Sequence, residues 1–345
     1  MGLRSYIIKR AIYSVILVFF VITLNFIIFE LMPGSPIEFF LGKAATGAFK
    51  DPERIRQIEE EWGLNQPLHV QYLKYIKNML TFNFGKSARP PEKPIAQLIM
   101  EYLPNTLVLM GTSTVLSIII GVILGVIAAH KRGGKVDSAA VTTALIFYAL
   151  PTFWLGLMFL VLFARTLHWF PIGGIVDLQV KQNNPPIPIN LFFTTIYIPS
   201  WAEIQNRLWH LFLPCLTLTL FQYGSFLLLT RASMLECLTE DYIVTARAKG
   251  LKERTILFKH ALKNASLPII TSAAISFGFM ISGAIITETV FSWEGMGTLI
   301  WERGIQGYDY PLLHVVFYVI ALCVIAANFI ADLLYGVIDP RIKYG

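Results

Sequence analysis

Read for hydrophobic and polar positions, the chain alternates long apolar stretches with polar joints. Six mostly apolar stretches run approximately Ala11 to Met32, Thr106 to Ala129, Ala139 to Ala164, Leu211 to Thr230, Leu267 to Thr287 and Leu312 to Tyr335. An α-helix rises about 1.5 Å per residue and the hydrocarbon core of a bilayer is roughly 30 Å thick, so each stretch is long enough to cross it. The pattern predicts an all-α membrane protein with six transmembrane helices. The first run exceeds the apolar core of a secretory signal and has no small-residue cleavage site directly after it, so it reads as a retained helix.

The polar joints differ in kind. Between the first two spans lie residues far more polar than the rest, with a charged helical run from Pro52 to Trp62, read as a folded extracytoplasmic segment. A second outer segment, His168 to His210, places Pro171, Pro185, Pro186, Pro188 and Pro199 among Trp169, Phe192, Phe193, Tyr197 and Trp201. Such aromatics anchor at the headgroup interface or meet a partner outside the membrane. The joint from Ala232 to Ser266 is basic yet helical in pattern. Ile243, Ala246 and Gly250 fall at i, i+3 and i+7, and Ile256, Leu257, His260 and Ala261 at i, i+1, i+4 and i+5. Gly250 ends the first run at low steric cost, which predicts two short helices joined by a turn, lying under the membrane.

Charge orients these pieces. Hydrophobic residues make up 55% of the chain and charged ones only 14%, against roughly 25% charged in an ordinary soluble domain. With the N-terminus inside, the inner pieces carry 15 of the 28 Lys and Arg residues and seven of the 22 acids, a net +8 against −2 outside. Inner flanks are enriched in Lys and Arg, so both termini are expected in the cytoplasm. The basic excess therefore belongs to the inner face and implies contact with membrane lipid and no nucleic acid.

Catalytic apparatus is missing from the sequence. No GxxxxGK[ST] phosphate loop, HExxH helix or metal-spaced Cys/His cluster occurs, so no catalytic residue, cofactor or metal ligand is assigned. Cys215, Cys237 and Cys323 suggest no disulfide. Glu30, Arg165, Arg231 and Asp332 all sit near span ends, while the span interiors hold Asn25, Thr142, Thr143, Gln222, Ser225, Ser272, Ser276 and Asn328. These polar groups hydrogen-bond between helices or line a polar path. An ion-coupled transporter would show internal repeats or broken spans; no clear repeat is present, although Gly121, Gly125, Gly278 and Gly283 permit bending. An intramembrane enzyme would need converging acids, a His or a Ser/Lys pair, and a scaffold without transport would copurify with no ATPase. Six spans, no energy source and a large basic loop describe half of a channel that another protein must drive.

Specific residues carry a resemblance. The run EDYIVTARAKGLKERTILFKHALKNASLPI, Glu240 to Pro268, resembles the coupling loop of type I ABC importer permeases, specifically the oligopeptide and dipeptide permease family. LMPGSP from Leu31, the run Leu64 to Ser87, ALPTFWLGL from Ala149, ETVFSWEGMG from Glu288 and DLLYGVIDPRI from Asp332 are similar to the same family. Glu294 stands where the family usually has proline, and Val244, Thr245 and Ala246 stand where the wider importer pattern has Glu-Ala-Ala. The outer segment from about Ile175 to Glu203 is longer than in many members. The resemblance implies an N-terminal helix with its outer segment (1–103), a type I transmembrane domain (104–336) with a coupling loop at about 232–266, and a cytoplasmic tail (337–345). It also implies Ala246, Ala248 and Gly250 as close-packing and turn positions for an ATPase groove, with Thr245, Arg247, Lys249 and Leu251 beside them. The implied partners are a second related permease, two ABC ATPase subunits that hydrolyse the ATP, and an extracytoplasmic substrate-binding protein. The implied cargo is peptide, with oligosaccharide or nickel chelate as alternatives, passed across the inner membrane without chemical change.

Overall fold

The computed structural model describes residues 3–31, 53, 56, 60, 65–89, 91–185, 187–191, 194–280 and 284–338. The expected turn beyond Leu31, most of the charged run Pro52 to Trp62, Gly283 and the tail beyond Ile338, with Arg341 and Lys343, lie outside the described residues. The elements in chain order are α1 (Leu3–Leu31), α2 (Leu68–Leu80), α3 (Ile95–His130), α4 (Lys135–Ala149), α5 (Thr152–Phe159), α6 (Leu178–Asn183), β1 (Ile187–Leu191), β2 (Thr194–Ile198), α7 (Trp201–Cys237), α8 (Asp241–Ala248), α9 (Glu253–Thr255), α10 (Leu262–Phe279), α11 (Ile285–Val290), α12 (Met296–Thr298) and α13 (Tyr310–Ile338). Helices α5, α9 and α12 each run on into a π-helical turn, at Leu160–Thr166, Ile256–Ala261 and Leu299–Ile305.

Four described helices, α1, α3, α7 and α13, are long and apolar enough to cross a membrane, and α4 with α5 makes a fifth if that bent pair is one span. The uninterrupted third stretch expected from Ala139 to Ala164 is instead broken, its two halves meeting at 97°. Pro151 has no N–H and pushes the preceding residue out of helical conformation; Leu150 accordingly has ψ 133°. Of the fifth stretch, α10 covers Leu267 to Phe279; the helix begins earlier, at Leu262, running straight on from the π-helical turn of the basic loop. The described chain departs from the expected all-helical structure in an antiparallel ribbon pairing Ile187 with Ile198 and Leu191 with Thr194, and in an isolated bridge between Lys86 and Pro94.

The chain divides into two compact units. The first comprises Met1–Thr106, Gly278–Ile285 and Gly295–Gly345. Its core joins Ile22 of α1, Met79 of α2, Leu98 of α3, Met296 of α12 and Leu312 and Tyr318 of α13. Polar contacts edge that core. The Tyr75 hydroxyl meets His314 Nε2, Thr23 meets the Tyr72 hydroxyl at 2.6 Å, and the Asn25 amide reaches the His314 carbonyl at 3.5 Å. Arg10 pairs with Asp332, one of the charges expected near span ends, at 3.0 Å.

The second unit comprises Leu107–Phe277 and Ile286–Glu294. Gly121 and Gly125 let α3 lie directly on α7: a Cβ at Gly121 would stand 2.5 Å from Phe226 Cβ, and one at Gly125 2.6 Å from Thr230 Cβ. Their service is close approach, the usual use of small residues between membrane helices, rather than bending. Around this seam Thr114 bonds Gln222 at 3.4 Å and Ser117 bonds the Thr219 carbonyl at 3.3 Å. Thr143, Ser225 and Ser276 donate to carbonyls of their own helices. Nearer the start of α7, Phe170 stacks on Phe212 with centroids 4.5 Å apart and lies 4.9 Å from Trp209.

Candidate functional site

The basic loop of the second unit begins where α7 ends. Leu238 closes that helix by donating to the Met234 carbonyl at 2.9 Å, and a turn through Thr239 and Glu240 starts α8. Asp241 in the first turn of α8 favours the positive end of the helix dipole. Ile243 and Ala246, three residues apart, point inward and are buried. The helix stops in a Schellman arrangement: the N–H of Gly250 donates to the Arg247 carbonyl at 2.9 Å and that of Leu251 to the Ala246 carbonyl at 3.4 Å. The arrangement needs a left-handed residue, and Gly250 supplies it at φ +73°.

After this turn the chain enters α9. A π-helical turn at Ile256–Ala261 brings Ile256, Leu257 and Ala261 onto one buried side. These three join Ile243 and Ala246 in a cluster with Val126 and Ala129 of α3, Met234 of α7 and Ala265 of α10. The short helix α8 is therefore seated on the ends of three long helices at once. Small residues at 129, 246, 261 and 265 make that approach close.

Charges secure the rim. Arg247 Nη2 lies 3.0 Å from Glu253 Oε1 across the turn, and His130 Nδ1 lies 3.8 Å from the same oxygen. The Arg247 hydrogen bond, with the charges of Arg247 and His130, holds the Glu253 carboxyl below its ordinary pKa against the opposing effect of burial. In the first turn of α4, Asp137 takes a two-pronged ion pair from Arg231 of α7 at 2.6 and 2.8 Å and accepts the Gly133 N–H at 2.9 Å. The turn joining α3 to α4 is thereby tied to the end of α7.

Of the residues expected to meet an ATPase, Thr245, Arg247, Ala248, Lys249, Gly250 and Leu251 are exposed, while Ala246 is turned into the cluster. Thr245 donates its hydroxyl to the Asp241 carbonyl at 3.0 Å. Lys249, Lys252 and Arg254 are exposed and, among the described residues, form no ion pair. Sequence reasoning missed Val126 and Ala129, which lie inside a long apolar run where nothing separates a loop seat from a lipid face, and Met234, which stands in the basic joint ahead of its two periodic runs. Glu253 was missed because its partner, six residues away, is not at a helical spacing. No described His, Cys, Asp or Glu side chains converge in a group of three or more able to hold a metal.

Comparison with known proteins places these features. Residues 121–344 match the family described as binding-protein-dependent transport system inner membrane component, and residues 3–110 match its N-terminal membrane component. The oligopeptide transport system permease protein AppB of Bacillus subtilis is 36% identical over 99% of this chain and 100% of its own. The dipeptide transport system permease protein DppB of Alkalihalophilus pseudofirmus is 38% identical over 93% of each chain. A chain of the methionine ABC transporter MetNI, in an inward-facing conformation, superposes with TM-score 0.55 at 17% identity over 72% of this chain and 99% of its own, a likeness of fold.

Proposed function

The chain belongs to the binding-protein-dependent transport system inner membrane component family, and on that premise we propose that it forms half of the membrane pathway of an ATP-driven importer of short peptides. The cargo assignment draws on relatives named as oligopeptide and dipeptide permeases. A second related permease would complete the pathway, two ABC ATPases would engage the basic loop, and an extracytoplasmic binding protein would deliver the peptide. Six crossings, with α4 and α5 as one broken span and α10 as part of the fifth, would put both termini and the basic loop in the cytoplasm.

The observation that carries this reading is the seat of α8. A helix docked on a moving ATPase transmits force only if it cannot shift against the spans it drives. Here Ile243 and Ala246 lock it to the ends of α3, α7 and α10, while Thr245, Arg247, Ala248, Lys249 and Leu251 remain exposed for a partner. ATP binding would draw two such loops together and tip the spans between inward-facing and outward-facing states, a population shift supplied by nucleotide. The chain moves its cargo without altering it.

The test is ATP hydrolysis by the reconstituted transporter with its permease partner, ATPases and binding protein, challenged with peptides, oligosaccharides and nickel chelates. Stimulation by peptides supports the assignment. Stimulation by sugars or chelates alone would overturn the cargo, and stimulation by none of them would overturn the driven importer.

A further inference from the structure

In the first unit, two segments more than two hundred residues apart in sequence are locked together by polar groups that the import reading leaves unused. Asp309 is wholly buried and accepts the Ser87 hydroxyl, the Ala88 N–H at 3.1 Å and the Leu312 N–H at 3.3 Å. Arg303 Nη2 donates to the carbonyls of Arg89 at 3.0 Å and Pro91 at 3.2 Å, and to Ser87 Oγ at 3.4 Å. Arg89 Nη1 returns the contact, donating to the Glu302 carbonyl at 2.9 Å. Each guanidinium is thus positioned by the backbone of the other's segment.

Between them opens a cavity of about 650 Å³ lined by Arg89, Pro91, Glu302, Arg303 and Gln306. Carbonyl oxygens orient a guanidinium but do not cancel its charge. Among the described residues no carboxylate pairs with Arg89 or Arg303. Asp309 bonds to Ser87 and two backbone N–H groups and is not among the residues that line the cavity, and Glu101 pairs with Lys93 at 3.0 Å. Glu302 is also a lining residue, so the lining residues comprise two cations and one anion.

We propose that this cavity is a carboxylate-binding site. The planar forks of Arg89 and Arg303 suit a two-oxygen anion, their anchoring to carbonyls lowers the entropy lost on binding, and the Gln306 amide adds a neutral donor. The site rests on the importer reading for its place outside the membrane. Two sources there present a carboxylate: the terminus of a short peptide, and an acidic side chain of the delivering protein.

The experiment uses the reconstituted transporter, wild type and Arg89→Gln, with Lys86→Gln as a charge control from the same turn that does not line the cavity. One arm measures binding of the dipeptide Ala-Phe and of its C-terminal amide without binding protein, by equilibrium dialysis. The other measures affinity for the peptide-loaded binding protein. The expected result is weakening of about tenfold by Arg89→Gln and none by Lys86→Gln. Loss confined to the dipeptide, with the amide already weak in the wild type, assigns the peptide terminus as source; loss confined to the second arm assigns the protein. Equal affinities of wild type and Arg89→Gln in both arms would overturn the site. Peptide-stimulated hydrolysis in the wild type reports on the importer reading separately, so failure of one is distinguishable from failure of the other.

Discussion

The basic loop of the second unit and the polar clamp of the first are both tight joints between distant segments, yet they are made from opposite materials. The loop is held by apolar contact: Ile243, Ala246, Ile256 and Ala261 form its floor, and charge is confined to an exposed rim. The clamp is held by buried polar groups, with Asp309 and Ser87 at its centre and Arg303 spanning carbonyls. A joint that must carry force while offering its outer face to a partner gains from a floor that has no directional bonds to break. A joint that must aim charged groups gains from hydrogen bonds that fix their angles.

Substitutions separate the two. The largest effect is expected from Gly250→Pro. Proline cannot reach φ +73° and removes the N–H bonded to Arg247, so membrane insertion persists while ATPase copurification and peptide-stimulated hydrolysis are lost. Asp309→Ala strikes the clamp, leaving Ser87 and the Ala88 N–H without their acceptor and uncapping α13. A loss of about 3–4 kcal/mol is expected in thermal unfolding of the purified protein, with the loop's ATPase docking retained below the transition. Arg231→Ala leaves the buried Asp137 carboxylate with only the Gly133 N–H and should cost about 2–3 kcal/mol, smaller because Arg231 is partly solvated. Asp137→Asn in the same background should recover part of it.

The smallest effect concerns the rim. Glu253 has a depressed pKa in the folded protein, so its pairing contributes in full above the ordinary glutamate value of about 4.3 and fades as the pH falls through the folded value. Because both partners are more than a third exposed, Glu253→Gln should change stability by under about 1 kcal/mol at neutral pH. A larger loss in chemical denaturation would mean that the rim, and not the apolar floor, holds the loop.

The same difference in materials decides what could be read from sequence. The loop was legible because its floor repeats at helical spacing, and because a glycine after Arg247, Ala248 and Lys249 marks a helix end. The long apolar runs likewise announced α1, α3, α7 and α13. The clamp was not legible, since Ser87 and Asp309 are 222 residues apart and neither stands in a periodic pattern. The break at Leu150 and Pro151 was overlooked because hydropathy runs unbroken through it, although Pro151 itself was the signal. Ala246 looked like a partner contact because small residues serve close packing on either face of a helix. Only the cluster with Val126 and Met234 shows which face it uses.

The most direct test of the account places a photocrosslinking amino acid at Lys249 in the assembled transporter, with a second at Phe20, an exposed apolar position of α1, for reference. The account predicts a crosslink from position 249 to an ATPase subunit, with a yield that changes on ATP binding, and none to that subunit from position 20. Crosslinks from 249 to lipid alone, in a complex shown to contain its ATPases, would contradict it.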